Sequence, residues 1–137
     1  MKSAGHALEL LPGTFAIARL APDAEVPPWA SEGAIASVIR TDAECSIVCA
    51  ESAVPKTITA ERGFKGLRVR GPLPFDAVGV LASLVAPLAE AGISILSLST
   101  YDTDYLLVPS DRLEDALGVL RAAGHTRDAW RSGPGGS

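Results

Sequence analysis

Along residues 67–124 the spacing of the apolar residues changes several times between that of a strand and that of a helix. The order of these changes limits the fold to a few topologies. Alternating apolar and polar residues indicate a half-buried strand, and apolar residues at helical spacing indicate a helix packed on one face. The segments follow one another as β-α-β-β-α: strand 67–70, helix 78–89, strand 93–100, strand 104–108 and helix 113–120. With one further strand this gives the βαββαβ pattern of ferredoxin-like α+β folds.

Two candidates exist for that further strand: the apolar segment 8–11 and the run after Gly124. We expect the first helix to start near Asp76 and to be kinked by Pro87, whose ring clashes with the carbonyl of Ser83. Gly92 and Gly124 are predicted to end the two helices. Asp111 and Glu114 have the spacing of a capping box at the start of the second helix.

The first half of the chain predicts a degenerate copy of the same order. Its two helices are reduced to single turns, one beginning at Pro28 and one at residues 52–55. Its β-type runs are 8–11, 15–20, 35–41 and 45–50. We therefore predict two subdomains, 1–62 and 63–130, followed by a disordered tail at 131–137 that has no apolar residue.

Composition excludes several function classes. Hydrophobic residues make up 47% of the chain and charged residues 20%, so a buried core is expected. The net charge of −4 disfavours nucleic acid or an anionic membrane as partner. No apolar run approaches the roughly 20 residues of a membrane span, and the first residues lack the apolar core of a signal peptide. A cytoplasmic location is therefore expected.

The sequence gives little evidence for a metal site or for an enzymatic activity. Cys45 and Cys49 are four apart on one predicted strand, which favours two buried thiols over a disulfide or a metal site. His6 and His125 lie at opposite ends of the chain, without a nearby cluster of ligands. Nucleophile, phosphate-loop and paired metal-ligand motifs are absent, so we expect no enzyme, no cofactor and no metal.

The C-terminal half does carry polar residues that suit a free α-amino acid. A helix N-terminus near Asp76 would supply N–H donors to a carboxylate, and Gly79 would allow close approach or only close helix packing. The strand end at Ser99 and Thr100 offers oxygens to an ammonium group. Asp104 begins a strand, where aspartate is disfavoured, which suggests a site. Asp102 most simply stabilises its own turn.

Three stretches carry a resemblance to a known family. They are Leu10-Leu11-Pro12-Gly13-Thr14-Phe15-Ala16-Ile17-Ala18-Arg19-Leu20, Gly71-Pro72-Leu73-Pro74-Phe75 continuing to Gly79-Val80-Leu81-Ala82, and Ser99-Thr100-Tyr101-Asp102-Thr103-Asp104-Tyr105. Together they resemble the bacterial two-subdomain ACT-domain family, which is related to the cytosolic arginine sensors and, more distantly, to aspartokinase regulatory domains. The resemblance covers nearly the whole chain from residue 8 to residue 124.

This resemblance implies a non-catalytic sensor that binds a free amino acid between two ACT subdomains. It also implies that Asp104 pairs with a guanidinium group and that a Ser-Val pair on a strand of the partnering subdomain adds main-chain contacts. The residues predicted to contact the ligand are Gly71, Pro72, Asp76, Val78, Gly79, Val80, Ser99, Thr100, Tyr101, Asp102, Thr103, Asp104, Ser37 and Val38. A homodimer and a regulated protein partner are implied as well.

Two departures from the family pattern keep an alternative open. Pro74 stands where aspartate is expected, and Val78 stands where threonine is expected. The alternative is a decayed ACT pair that binds no ligand and only docks to another protein. An RNA-binding ferredoxin-like domain is disfavoured, because strand 67–70 offers two arginines and no aromatic residue.

Overall fold

The computed structural model describes residues 5–127, which form an α+β fold. They divide into two compact units. We call residues 12–65 the N-terminal unit, and residues 5–11 together with 66–127 the C-terminal unit. The tail predicted at 131–137 lies outside the described residues.

The C-terminal unit contains the sheet and the two helices predicted from its hydrophobic period. Its helices are α1 (Val80–Glu90) and α2 (Leu113–Ala122). The strands are β1 (Ala7–Leu10), the last residues of β5 (Ala60–Val69), β6 (Leu96–Ser99), β7 (Asp104–Pro109) and β8 (Thr126–Arg127). They lie in the order β6-β7-β5-β1-β8. This is the β-α-β-β-α order of the sequence, with β1 in the place of the fourth strand.

Both candidates for the last strand are in fact strands. β1 pairs antiparallel with β5, with Leu8 opposite Val69, and β8 pairs parallel with β1 on its other edge. Leu8 is buried and Leu10 packs against the same core. Residues 5–11 therefore belong to the C-terminal unit, whereas the sequence had grouped them with the first half of the chain.

The core of the C-terminal unit lies between the helices and one face of the sheet. Leu84 and Leu88 from α1 and Leu117 and Leu120 from α2 supply the helical side chains. The strands contribute every second residue, as alternation requires: Leu8, Leu67, Val69, Leu106 and Val108.

The helix ends agree with the sequence at the C-termini and differ at the N-termini. Gly92 and Gly124 follow α1 and α2 and make the paired backbone hydrogen bonds of a Schellman ending. The prediction that α1 starts near Asp76 was wrong, because the helix starts at Val80. Gly79 precedes it at φ +83°, a left-handed conformation that interrupts the helical backbone.

The predicted capping box is also wrong. Asp111 lies inside a 3-10 turn, Ser110–Arg112, and no side chain caps the N-terminus of α2. Instead the Arg112 Nε lies 3.0 Å from the Asp115 Oδ2, on the exposed surface of the first turn. The physical reason is that the 3-10 turn displaces the carboxylate of Asp111 from the capping position.

The N-terminal unit confirms the degenerate copy. Its strands are β2 (Phe15–Leu20), β3 (Ser37–Arg40), β4 (Cys45–Ala50) and the first residues of β5, in the order β3-β4-β2-β5. Two 3-10 turns, Pro28–Ser31 and Glu51–Ala53, stand where the C-terminal unit has helices. Cys45 and Cys49 are buried free thiols in its core, and burial raises the pKa of Cys49.

The helices α1 and α2 are short, with 11 and 10 residues. Among residues 5–127, no helix has both the length and the apolar character needed to span a membrane.

Candidate functional site

A cavity of about 390 Å³ opens in the C-terminal unit where three segments meet. They are the loop between β5 and α1, the first turn of α1, and the turn between β6 and β7. Its lining residues are Leu73, Pro74, Phe75, Ala77, Gly79, Val80, Leu81, Ala82, Ser99, Thr100, Tyr101, Asp102, Thr103 and Asp104. The volume lies at the low end of the range of small-molecule sites.

The turn between β6 and β7 is held by threonine hydroxyls. The Thr100 N–H donates to the Thr103 carbonyl oxygen over 2.8 Å, and the Thr103 N–H donates to the Thr100 Oγ1 over 3.3 Å. Buried Thr103 donates its hydroxyl to the Val69 carbonyl oxygen over 2.6 Å, which anchors the turn on β5. The hydrogen bonds that close this turn therefore come from Thr100, and not from the Asp102 side chain as the sequence suggested.

The loop after β5 is fastened to the same turn. The Leu73 N–H donates to the Asp102 carbonyl oxygen over 2.7 Å. A Cβ added to Gly71 would lie 3.0 Å from that same oxygen, so the glycine permits the close approach of the two segments. Above the cavity the rings of Phe75 and Tyr101 contact each other, with centroids 5.6 Å apart.

Asp104 presents an oriented carboxylate at the cavity wall. The Ser99 hydroxyl donates to the Asp104 Oδ1 over 2.7 Å. The two residues are cross-strand partners at the end of the β6–β7 pair. This hydrogen bond fixes the carboxylate and leaves Oδ2 as an acceptor for a positively charged group.

The opposite wall is the N-terminal turn of α1. The first helical hydrogen bond runs from the Ser83 N–H to the Gly79 carbonyl oxygen over 3.0 Å, so the N–H groups of residues 80–82 have no acceptor within the helix. A Cβ at Gly79 would meet nothing within 4 Å. The positive φ, rather than close helix packing, therefore explains the glycine.

The structure brings most of the predicted contact residues together. Eight of them line the cavity: Gly79, Val80, Ser99, Thr100, Tyr101, Asp102, Thr103 and Asp104. Asp76 and Val78 do not line it, and Val78 is 94% exposed. The lining also includes apolar residues that are not among the predicted contact residues: Leu73, Phe75, Leu81 and Ala82. Ser37 and Val38 lie in β3 of the N-terminal unit.

Gly71 and Pro72 border a second, more polar cavity of about 420 Å³ on the other side of the β6–β7 turn. Its wall contains an ion pair of 2.6 Å between the Arg68 Nε and the Glu9 Oε1. The hydrogen bond to Glu9 raises the pKa of Arg68. Both cavities share Asp102 and Thr103, so the turn separates them.

His6 and His125, from the two ends of the described chain, meet beside α1. Their rings stack with centroids 5.7 Å apart, and the His6 N–H donates to the His125 Nδ1 over 3.0 Å. Within residues 5–127 no group of three or more His, Cys, Asp and Glu side chains is placed to hold a metal ion.

The stability of the fold is expected to fall as the pH decreases below about 6.5, the ordinary pKa of histidine. Burial lowers the pKa of His6, neighbouring His125 lowers it further, and Asp104 acts in the opposite direction. The unfolded chain therefore binds a proton more readily than the folded chain, and protonation favours unfolding. Urea unfolding between pH 5 and pH 7.5 measures this loss. His6→Ala, which keeps the backbone N–H, should show a shallower dependence; an unchanged slope would contradict the assignment.

Comparison with known proteins assigns the family. The family model described as ACT domain matches residues 59–122, and a second model, of an N-terminal domain, matches residues 13–57. The chain belongs to the ACT-domain family, and its fold is of the α+β class.

Among curated proteins the chain is similar to the human cytosolic arginine sensor for mTORC1 subunit 1. The two are 41% identical over 56 residues, which is 40% of this chain. The match spans 17% of the length of that relative.

Among solved structures the chain is similar to a protein from Agobacterium tumefaciens at a TM-score of 0.86. The pair is 38% identical, over 91% of this chain and 93% of the other. The regulatory subunit of aspartate kinase from Thermus flavus shares the fold at a TM-score of 0.55. It is 15% identical over 90% of this chain and 99% of that subunit.

Proposed function

We propose that this chain is a non-catalytic regulatory module that binds a free amino acid in the 390 Å³ cavity of its C-terminal unit. One observation carries the proposal. Asp104, with its carboxylate oriented by Ser99, lines the same cavity as the N-terminal turn of α1. A carboxylate that can accept from a cation and a helix N-terminus that can donate to an anion thus border one small space, and an amino acid carries the complementary charges.

The α-carboxylate of the ligand belongs at the start of α1. Residues 80–82 line the cavity, and their N–H groups lack acceptors within the helix. The helix dipole also favours negative charge at this end. Val78, where the family pattern has threonine, brings no hydroxyl to this wall. The carboxylate contacts must therefore come from the backbone.

The side chain of the ligand belongs at Asp104. A hydrogen bond between a charged donor and a carboxylate is about twice as strong as a neutral one, so Asp104 selects a cationic side chain. The similarity to an arginine sensor makes L-arginine the first candidate. Ser37 and Val38, which the family resemblance also implicates, stay predicted contacts.

A thermal-shift screen against the proteinogenic amino acids tests this function. A ligand that binds only the folded state raises the free energy of unfolding by about 2.7 kcal/mol at a hundredfold excess over Kd. We expect a rise with arginine or lysine and a much smaller one with citrulline, which keeps the shape of arginine without its charge. No rise with any amino acid would contradict the proposal.

A second candidate is a docking module without a ligand. It is favoured by the exposure of two aromatic residues that line the cavity, Phe75 at 80% and Tyr101 at 82%, and of Val78 at 94% in the loop before α1. A chain that shows no thermal shift with any amino acid would fit this candidate. In either case the expected assembly is a homodimer with a regulated protein partner, acting in the cytoplasm.

A further inference from the structure

The carbonyl group of Ser83 lacks its partner within α1. In an α-helix the carbonyl of one residue accepts from the N–H four residues later. For Ser83 that residue is Pro87, which has no N–H to donate. A buried carbonyl without a donor would destabilise the helix at this point.

His125 supplies the missing donor. Its Nε2 lies 3.1 Å from the Ser83 carbonyl oxygen, and the residue is 4% exposed. It follows α2 directly, where its own N–H donates to the Leu120 carbonyl oxygen in the Schellman ending. The hydrogen bond from the ring therefore joins the end of α2 to the first half of α1.

The two hydrogen bonds of the ring define its charge. A carbonyl oxygen can only accept, so the Nε2 carries the proton. The His6 N–H can only donate, so the Nδ1 must be free of a proton. Both contacts hold together only in the neutral Nε2–H tautomer, and protonation would set a second N–H against that of His6.

Ser83 connects this ring to the wall of the candidate site. Its N–H donates to the Gly79 carbonyl oxygen over 3.0 Å, and its hydroxyl donates to the Val80 carbonyl oxygen over 2.7 Å. Gly79 and Val80 both line the cavity. The position of the first turn of α1 is thus tied, through one residue, to the imidazole of His125.

We propose that His125 is a positioning residue for the amino-acid site: the hydrogen bond from its imidazole Nε2 to the Ser83 carbonyl oxygen holds the first turn of α1 in the binding geometry. This inference rests on the proposed function. The ring of His6 stacks on that of His125.

Two substitutions separate the two hydrogen bonds. The amide nitrogen of glutamine can take the place of Nε2, so His125→Gln keeps a donor for Ser83. The amide oxygen of asparagine can take the place of Nδ1, so His125→Asn keeps the acceptor for His6 and loses the contact with Ser83. Pro87→Ala restores a backbone N–H to the helix, which makes the contact from His125 unnecessary.

The experiment is calorimetric titration of L-arginine into the full chain at pH 7.5. We expect His125→Gln to bind as the wild type does, because it keeps the donor for Ser83. His125→Asn should bind about tenfold more weakly, the loss of one hydrogen bond, and Pro87→Ala in the same chain should restore its affinity.

Two outcomes would overturn the inference. The first is a His125→Asn variant that binds arginine with wild-type affinity. The second is a His125→Asn loss that Pro87→Ala does not restore.

Failure of the proposed function would look different. If the wild type binds no L-arginine, the link between residues 87 and 125 is measured by urea unfolding instead. The destabilisation by His125→Asn should then be smaller when residue 87 is alanine. Additive effects of the two substitutions would overturn the positioning role itself, whatever the ligand.

Discussion

Replacing Leu106 with alanine is expected to lower the free energy of unfolding by about 2–5 kcal/mol. Leu106 lies in β7, is fully buried and belongs to the core between the sheet and the two helices. The substitution removes three carbon atoms from a closely packed site that cannot collapse fully, because strands lie on both sides of β7. Urea unfolding followed by circular dichroism measures the loss.

Leu98→Ala is the matched control, since it shortens a half-buried leucine on the neighbouring strand β6. Its expected loss is smaller, because part of the side chain is already in water. Equal losses for Leu98→Ala and Leu106→Ala would contradict the assignment of the core.

Replacing Gly33 with alanine should destabilise the N-terminal unit by about 2–3 kcal/mol. Gly33 has φ +110°, and an added Cβ would lie 2.9 Å from the Ala50 backbone nitrogen. That nitrogen donates its hydrogen to the Glu32 carbonyl oxygen over 2.8 Å, so the clash would also disturb a hydrogen bond at the end of β4. Thermal unfolding of the two proteins side by side measures the difference.

Gly118→Ala is the control for Gly33. Gly118 lies inside α2, and a Cβ there would meet nothing within 4 Å. Alanine at this position should therefore stabilise the protein by about 0.5–1 kcal/mol, because glycine is the poorer helix residue. Replacing glycine with alanine is therefore expected to lower the stability at position 33 and to raise it at position 118. Two losses of similar size would contradict this expectation.

The fold of the C-terminal unit could be predicted because the spacing of apolar residues differs clearly between its strands and its helices. The stripe through Leu117 and Leu120 and the alternation at Leu67 and Val69 follow from local sequence. The stripe predicted for the first helix was wrong in part, because α1 buries Leu84 and Leu88. The sequence had placed that stripe on Val78, Leu81, Ala82, Val85, Leu88 and Ala89. The start of α1 could not be predicted, because apolar spacing continues back to Val78 while the positive φ of Gly79 stops the helix. The sequence left open which segment forms the last strand, because segment 8–11 and the run after Gly124 both fit the edge of the sheet.

The predicted contact residues include the polar residues that line the cavity, in two segments of the chain. They do not include most of its apolar lining residues. Residues 99–104 stand out because Asp104 is unusual at the start of a strand. Leu73 and Leu81 do not stand out, because any loop or helix contains such residues. His125 was missed for another reason: its partner Ser83 is 42 residues away. Pro87 inside a helix was the available signal, since it leaves one carbonyl without a donor.

The role of Asp104 in amino-acid binding is measured by calorimetric titration of L-arginine into the wild type, Asp104→Asn and Asp76→Asn. Asp76 is an exposed carboxylate of the same loop region that does not line the cavity, so it controls for net charge. We expect one binding event in the wild type and in Asp76→Asn, and an affinity about 10- to 100-fold weaker in Asp104→Asn. Equal affinity in all three proteins, or no binding by the wild type, would show that Asp104 does not bind the ligand as proposed.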